Sequence, residues 1–264
     1  MRIRPTEIPA RPADYSGVPR IPSERYGGRE CRLDIETFAH IVAHDMKAPL
    51  NGIASMVDFV VEDYGDRLDD EGREQLRLIQ QMAVRGVAMV DGLRRFSRIA
   101  SAPVQWRRLD LTEMASRAIA RSAALAPEAT VHPRVAALPA VLGDPALVAD
   151  LLTALTDNAV LFHQGTVRDV VVAPLDAPAA TGPEGQVAIG VTDTGIGIEP
   201  RFHDAVFEMF KRLHAADRFG GGVGAGLAVA RAIVERHGGR LWIAHSSPAG
   251  TTVAFTLPAA PAEA

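Results

Sequence analysis

The chain has 264 residues, 47% of them hydrophobic and 23% charged, which suits one or two globular domains and excludes a disordered protein. A net charge of −4 with mixed signs leaves no basic footprint for nucleic acid. One cysteine, Cys31, excludes an internal disulfide framework, no apolar run approaches the roughly 18–20 residues of a membrane span, and MRIRPTEIPARP lacks the apolar core of a secretory signal, so a cytoplasmic location is expected.

Residues 1–32 are rich in Arg, Pro and Gly without periodicity and read as a flexible leader. Order is expected from about Leu33, with Asp34 as a helix cap. Phe38, Ile41, Val42, Ile53, Met56, Val57 and Val60 then recur at helical spacing as far as Tyr64. GDRLDDEG supplies a turn, and Leu76, Ile79, Met82, Ala83, Val87, Val90 and Leu93 carry a second helix to about Ile99. Two long helices joined by a short turn form an antiparallel hairpin over 33–101. Its stripe is too wide to be covered by one chain, so pairing with a second copy into a four-helix bundle is expected.

After the linker SAPVQ the character changes. Helical patterns near 111–125, 145–162 and 224–237 mix with β-rich runs VRDVVVAPL, QVAIGVTDT, GRLWIAHSS and TTVAFTLP. Helices and strands that do not alternate as βαβ units predict an α+β two-layer sandwich over 104–258, followed by a short tail, 259–264.

Candidate chemistry appears four times. In HDMKAPL, His44 projects away from the apolar stripe, and Pro49 removes the hydrogen bond to the Asp45 carbonyl. A carboxylate on one ring nitrogen fixes the tautomer and leaves the other nucleophilic, so His44 and Asp45 form a candidate pair. In LLTALTDNAVLF, Asn158 sits at the edge of a buried helical stripe, where its amide oxygen can meet a metal ion. VTDTGIGI ends a strand on Asp193, Gly195 and Gly197, a carboxylate beside glycines that permit close backbone approach. GGGVGAGLAVARAIVERHGG feeds a glycine-rich loop into a helix N-terminus, a cradle suited to phosphate.

Together and in this order, these elements resemble the sensor histidine kinases of two-component signalling. HDMKAPL looks like the phosphoacceptor box, LTDNAVLF the asparagine box, and DTGIGI and GVGAGLA the two glycine boxes. VFEMFKRLH is similar to the phenylalanine box of phytochrome-type kinases. The resemblance spans about 34–258. It implies that His44 is phosphorylated from ATP with Asp45 assisting, and that Asp193 holds the adenine amino group. It further implies nucleotide contacts from Asn158, Phe162, Gly195, Gly197, Lys211, Arg212, Gly222, Gly224, Gly226 and Thr252, with Asn158 ligating Mg2+. The phosphoryl group would pass to an aspartate of a response-regulator receiver domain, and input would come from a separate sensor protein or the leader. Three positions depart from the family pattern: Ala154 and Leu161 stand where an earlier Asn and a later Lys are usual, and Ala48 where Thr or Asn serves phosphatase activity. Weak phosphatase activity is therefore expected. The alternative is a phosphotransfer or scaffold protein without ATP turnover. An ATP-driven clamp of the gyrase type leaves HDMKAPL unexplained.

Overall fold

The computed structural model describes residues 30–101, 103–175, 185–213 and 222–261. The leader read over 1–32 lies outside these residues as far as residue 29. Helix α1 runs from Glu30 to Tyr64, so it starts inside that stretch and takes in Asp34, the expected cap; it continues unbroken through Pro49. A 3-10 turn at Gly65–Arg67 reverses the chain into α2, Asp70–Ser101. Asp69 Oδ1 accepts from the Gly72 N–H at 2.8 Å, and Arg73 reaches back to the Gly65 carbonyl at 3.1 Å. One orphan amide of the new helix is thereby satisfied and the turn is closed.

The seam between the two helices is made of small residues. Ala43 and Val57 of α1 and Ala83 and Val90 of α2 are buried, and a Cβ on Gly86 would stand 3.0 Å from Leu50 Cδ1. Lys47 pairs with Asp91, and Gln80 with Asp58, across the hairpin. Most of the large residues of the expected stripe lie elsewhere: Ile41, Ile53, Met56, Ile79, Met82 and Leu93 are exposed, Met82 at 73%. The helices approach through alanine and glycine, so the bulky side chains flank the seam and face outward from the single chain.

The second half is the expected sandwich. Strand β1 (Arg107–Leu109) pairs antiparallel with β3 (Val141–Gly143). The main sheet has β2 (Thr130–Val135), β4 (Val167–Pro174), β5 (Gln186–Asp193), β6 (Leu241–Ser247) and β7 (Gly250–Pro258). Its order is β2-β4-β5-β7-β6, with β2 and β4 parallel and the other pairs antiparallel. Helices α3 (Leu111–Ala123), α4 (Pro145–Leu161) and α5 (Gly226–Arg236) complete the fold. Ile119, Leu151, Leu155 and Ile233 of the helices share one core with Ile189, Phe255 and Leu257 of the sheet. Each such burial contributes about 1.5–3 kcal/mol against exposure.

Aspartates begin two of these helices. Asp110 accepts from the Thr112 and Glu113 amides, and Asp144 from Ala146 and Leu147, with Pro145 filling the first turn of α4. The tail read from 259 is in part tied down, since Ala259 bridges Val141 and the Ala260 N–H donates to the Ala140 carbonyl. The hairpin also enters the sandwich. Ile99 of α2 lies in the sandwich core, Arg95 pairs with Asp150 at 2.8 Å, and Arg236 donates to the Ala100 carbonyl. Among the described residues no helix is long and apolar enough to cross a membrane.

Candidate active site

His44 is exposed on α1, its side chain 82% accessible, and its Nδ1 lies 3.2 Å from Asp45 Oδ1. With the proton on Nδ1 donated to that carboxylate, the lone pair sits on Nε2, open to solvent. Neighbouring side chains on a helix normally point apart, so this pairing is a local adjustment of the two rotamers, made one turn before Pro49.

The buried core of α4 holds its polar edge in place. Thr156 bonds to the Leu152 carbonyl and to Ser122 of α3, and Ser122 donates to Asp157 at 2.6 Å. Asn158, one residue on, is half-buried and faces α5: a Cβ on Gly226 would meet nothing nearer than Asn158 Oδ1 at 3.9 Å. The Asn158 amide therefore lies directly beside the helix start, within van der Waals reach of a methyl there. Unlike α3 and α4, helix α5 has no side-chain cap, because Ala225 occupies the N-cap. Its first-turn amides are left for an anion, and the helix dipole favours one there.

Asp193 ends β5 as a half-buried carboxylate. Its Oδ1 accepts from Gly195 N–H at 2.7 Å and Thr251 N–H at 3.2 Å. Burial pushes its pKa up to about 6, against those two hydrogen bonds and the nearby His163. Glycines let the loop fold this tightly: a Cβ on Gly195 would lie 2.3 Å from the Phe162 carbonyl, and one on Gly197, at φ 73°, 2.0 Å from that of Ser247. Phe162 closes α4 and accepts the Ile196 N–H at 3.1 Å, which ties the asparagine helix to the aspartate loop. Beside this loop a cavity of about 450 Å3 is lined by Ile198, Phe202, Leu213 and Gln164, with Ser246 and Ser247.

Not every candidate converges on Asp193. Thr252 Oγ1 bonds Thr192 Oγ1 at 2.9 Å, on the β5–β7 ladder; it is the backbone of Thr251 that reaches the carboxylate. That donor leaves no side-chain signature in a sequence. His163, the nearest base to Leu161, is engaged within the protein: Nδ1 accepts from Gly165 N–H at 2.7 Å, and Nε2 faces Thr194 Oγ1 at 3.3 Å. Leu161 is half-buried and Ala154 buried. Lys211 stands 3.9 Å from Glu208 and half-exposed, while Arg212 donates to the Gly222 carbonyl at 2.5 Å. Phe210 N–H donates to the Gly224 carbonyl at 2.9 Å. Gly224, at φ 75°, packs against the Lys211 carbonyl. The two stems that bracket residues 214–221 are thus clasped. Among the described residues no cluster of three or more His, Cys, Asp or Glu could hold a metal ion.

Fold and site together define a class: a two-layer sandwich with an anion-ready helix start and a half-buried carboxylate at a strand end, carried on a helical hairpin that exposes a histidine. The family model described as the His Kinase A (phospho-acceptor) domain matches residues 34–102. That of the histidine kinase-, DNA gyrase B- and HSP90-like ATPase matches residues 143–261. The chain belongs to this family, as a sensor histidine kinase core. It is 32% identical over 225 residues to cyanobacterial phytochrome B of Nostoc sp., covering 85% of this chain and 29% of the relative. It is 29% identical over 241 residues to the methanogenesis regulatory histidine kinase FilI of Methanothrix harundinacea, covering 89% of this chain and 26% of that one. The chain therefore spans under a third of the length of these relatives. Its fold is shared with full-length ShkA in complex with AMPPNP, at TM-score 0.61 and 22% identity over 86% of this chain and 47% of that one. The histidine kinase AdeS of Acinetobacter baumannii shares it too, at TM-score 0.54 and 15% identity, over 80% and 96% of the respective chains.

Proposed function

We propose that the chain is a protein-histidine kinase that transfers the γ-phosphoryl group of ATP to His44 and then to an aspartate of a response-regulator receiver domain. The observation that carries this reading is the presence, on one chain, of an exposed, Asp45-oriented imidazole, an uncapped, glycine-led helix start and a half-buried aspartate held by backbone amides. Residues 33–101 serve as the dimerisation and phosphotransfer hairpin, 104–258 as the ATP-binding domain, and the setting is cytoplasmic.

The residues divide the work by chemistry. Asp45 accepts the Nδ1 proton of His44, orients the ring and stabilises the positive charge that develops when Nε2 bonds to phosphorus. Asp193 accepts from the amino group of the base, its Oδ1 already held by two backbone amides. The first-turn amides of α5, from Gly226 onward, receive the phosphates. Lys211 and Arg212 add positive charge just before residue 214. Asn158 fits as the ligand of Mg2+, an ion that supplies charge neutralisation between phosphate oxygens.

Incubation with magnesium and γ-labelled ATP, comparing the unmodified chain with His44→Ala, tests this. Acid-labile, base-stable label that disappears in the variant is the expected outcome. Leu161 in place of a lysine, with His163 bonded elsewhere, favours a second reading as a phosphotransfer or scaffold protein. Absence of both label and nucleotide binding would establish it.

A further inference from the structure

Two glycines of α2 mark close approaches, and they serve different neighbours. Gly86 admits Leu50 of the hairpin itself. Gly92 admits the sandwich: a Cβ there would stand 3.0 Å from Ala225 Cβ and 3.5 Å from Phe210 Cε1. Ala225 is the N-cap of α5, the start of the phosphate cradle. Phe210 leads into Lys211 and Arg212, and its N–H is bonded to the carbonyl of Gly224. Phe210 also has φ 64°, the single non-glycine residue in the left-handed region among those described. A bulky side chain persists there only where its surroundings impose it.

The height of this contact is the informative part. Gly92 adjoins Asp91, which pairs with Lys47 of α1, and Lys47 stands one turn from His44 on the same face. The cradle, Phe210 and the phosphoacceptor thus meet α2 and α1 at one level of the hairpin. Helix propensity gives no reason for glycine in mid-helix, where alanine is better. The other anchor points on α2, Arg95, Ile99 and the Ala100 carbonyl that Arg236 of α5 reaches, lie toward its C-terminal end, so bulk at position 92 would lever the sandwich about them.

We propose that Gly92 is a positioning residue: a notch in α2 that seats Phe210 and the start of α5 at the height of His44 and so sets the approach of the phosphate cradle to the phosphoacceptor. This rests on the kinase reading above.

The test measures His44 labelling from γ-labelled ATP in the full chain, beside G92L and G92A, with amide exchange over 208–213 and 222–229. For G92L the expected result is a maximal rate lower by about tenfold or more at nucleotide KM within about twofold, since small misplacements cost rate rather than binding. Exchange at both stems rises in G92L, whether or not nucleotide is turned over. G92A, which favours the helix, is expected to lower the rate by a few-fold. That effect vanishes on an Ala225→Gly background, where the facing methyl is gone, as a double-mutant cycle requires of direct contact. G92L labelling at the unmodified rate or faster overturns the positioning role and leaves the kinase reading standing. Unchanged exchange in G92L overturns the seat itself. A chain that takes no label at all defeats the kinase reading, and the positioning role with it.

Discussion

A carboxylate with a pKa near 6 is an uncommon choice for a residue that must accept a hydrogen bond at neutral pH. In Asp193 the shift comes from burial, opposed by Gly195 and Thr251. In the proposed role ionised Asp193 would accept from the amino group of the base, whereas the protonated form would compete as a donor. Nucleotide affinity is therefore expected to hold above pH 7 and to fall toward a limiting slope of about tenfold per unit below pH 6. Titrating affinity by calorimetry from pH 7.5 to 5 checks this, and an Asp193→Asn chain should bind at least about tenfold more weakly with the pH dependence flattened. For folding the sign is opposite. A carboxyl whose pKa rises on folding adds stability below its unfolded value, and that stability is lost as pH climbs through 6. Ala48 is the other informative single residue. It is exposed four positions after His44 and its methyl cannot orient a water. Dephosphorylation of a phosphorylated receiver partner should be slow, and Ala48→Thr should accelerate it; brisk hydrolysis by the unmodified chain would refute the assignment.

At the scale of elements, Asp144 ties three of them together. Its carboxylate caps α4 and accepts the Gln105 N–H of the interdomain linker at 2.9 Å, while its own N–H donates to Nε2 of buried His237 at the end of α5. Burial pushes its pKa up, but the amides of Gln105, Leu147 and Ala146 outweigh that and hold it below the ordinary carboxylate value. Asp144→Ala should cost about 2 kcal/mol or more, since a cap and a linker anchor go together, and thermal unfolding would register it. His237 is held below its usual pKa by burial, against the Ile233 carbonyl and the charge of Asp144. Its depressed value means stability present above about pH 6.5 and lost as pH falls below it. His237→Gln, which keeps an acceptor without titrating, should flatten that loss in melting curves taken between pH 7 and 5.5.

These elements were unequally legible. DTGIGI, GVGAGLA and HDMKAPL announce themselves because a carboxylate, a histidine or a run of glycines at fixed spacing has few other uses. The four β-rich runs show as strands because alternation and β-branching persist over seven or more residues. Strands β1 and β3, three residues each, carry too few positions for any period to show. Thr251 acts through its backbone, which any residue provides, and Gly92 reads as an ordinary helical residue until the sandwich is docked against it.

For the whole molecule, the outward-facing residues of the hairpin set the decisive expectation. Periodicity reports which residues are apolar and not which surface covers them, so the stripe was visible while its division was not. Ala43, Val57, Ala83 and Val90 close the hairpin on itself. Ile53, Met56, Ile79 and Met82 are left on an exposed apolar face that a second copy would bury, completing a four-helix bundle. Full burial of such a residue is worth roughly 1.5–3 kcal/mol, and that gain favours pairing. A Met56→Glu, Met82→Glu chain places two charges in that face while touching neither the intrachain seam nor the sandwich. Light scattering after gel filtration should then report half the mass of the unmodified chain. Nucleotide affinity should be unchanged, because Asp193, Asn158 and the start of α5 all belong to one sandwich. A monomeric mass for the unmodified chain at micromolar concentration would require something other than a second copy to cover the hairpin.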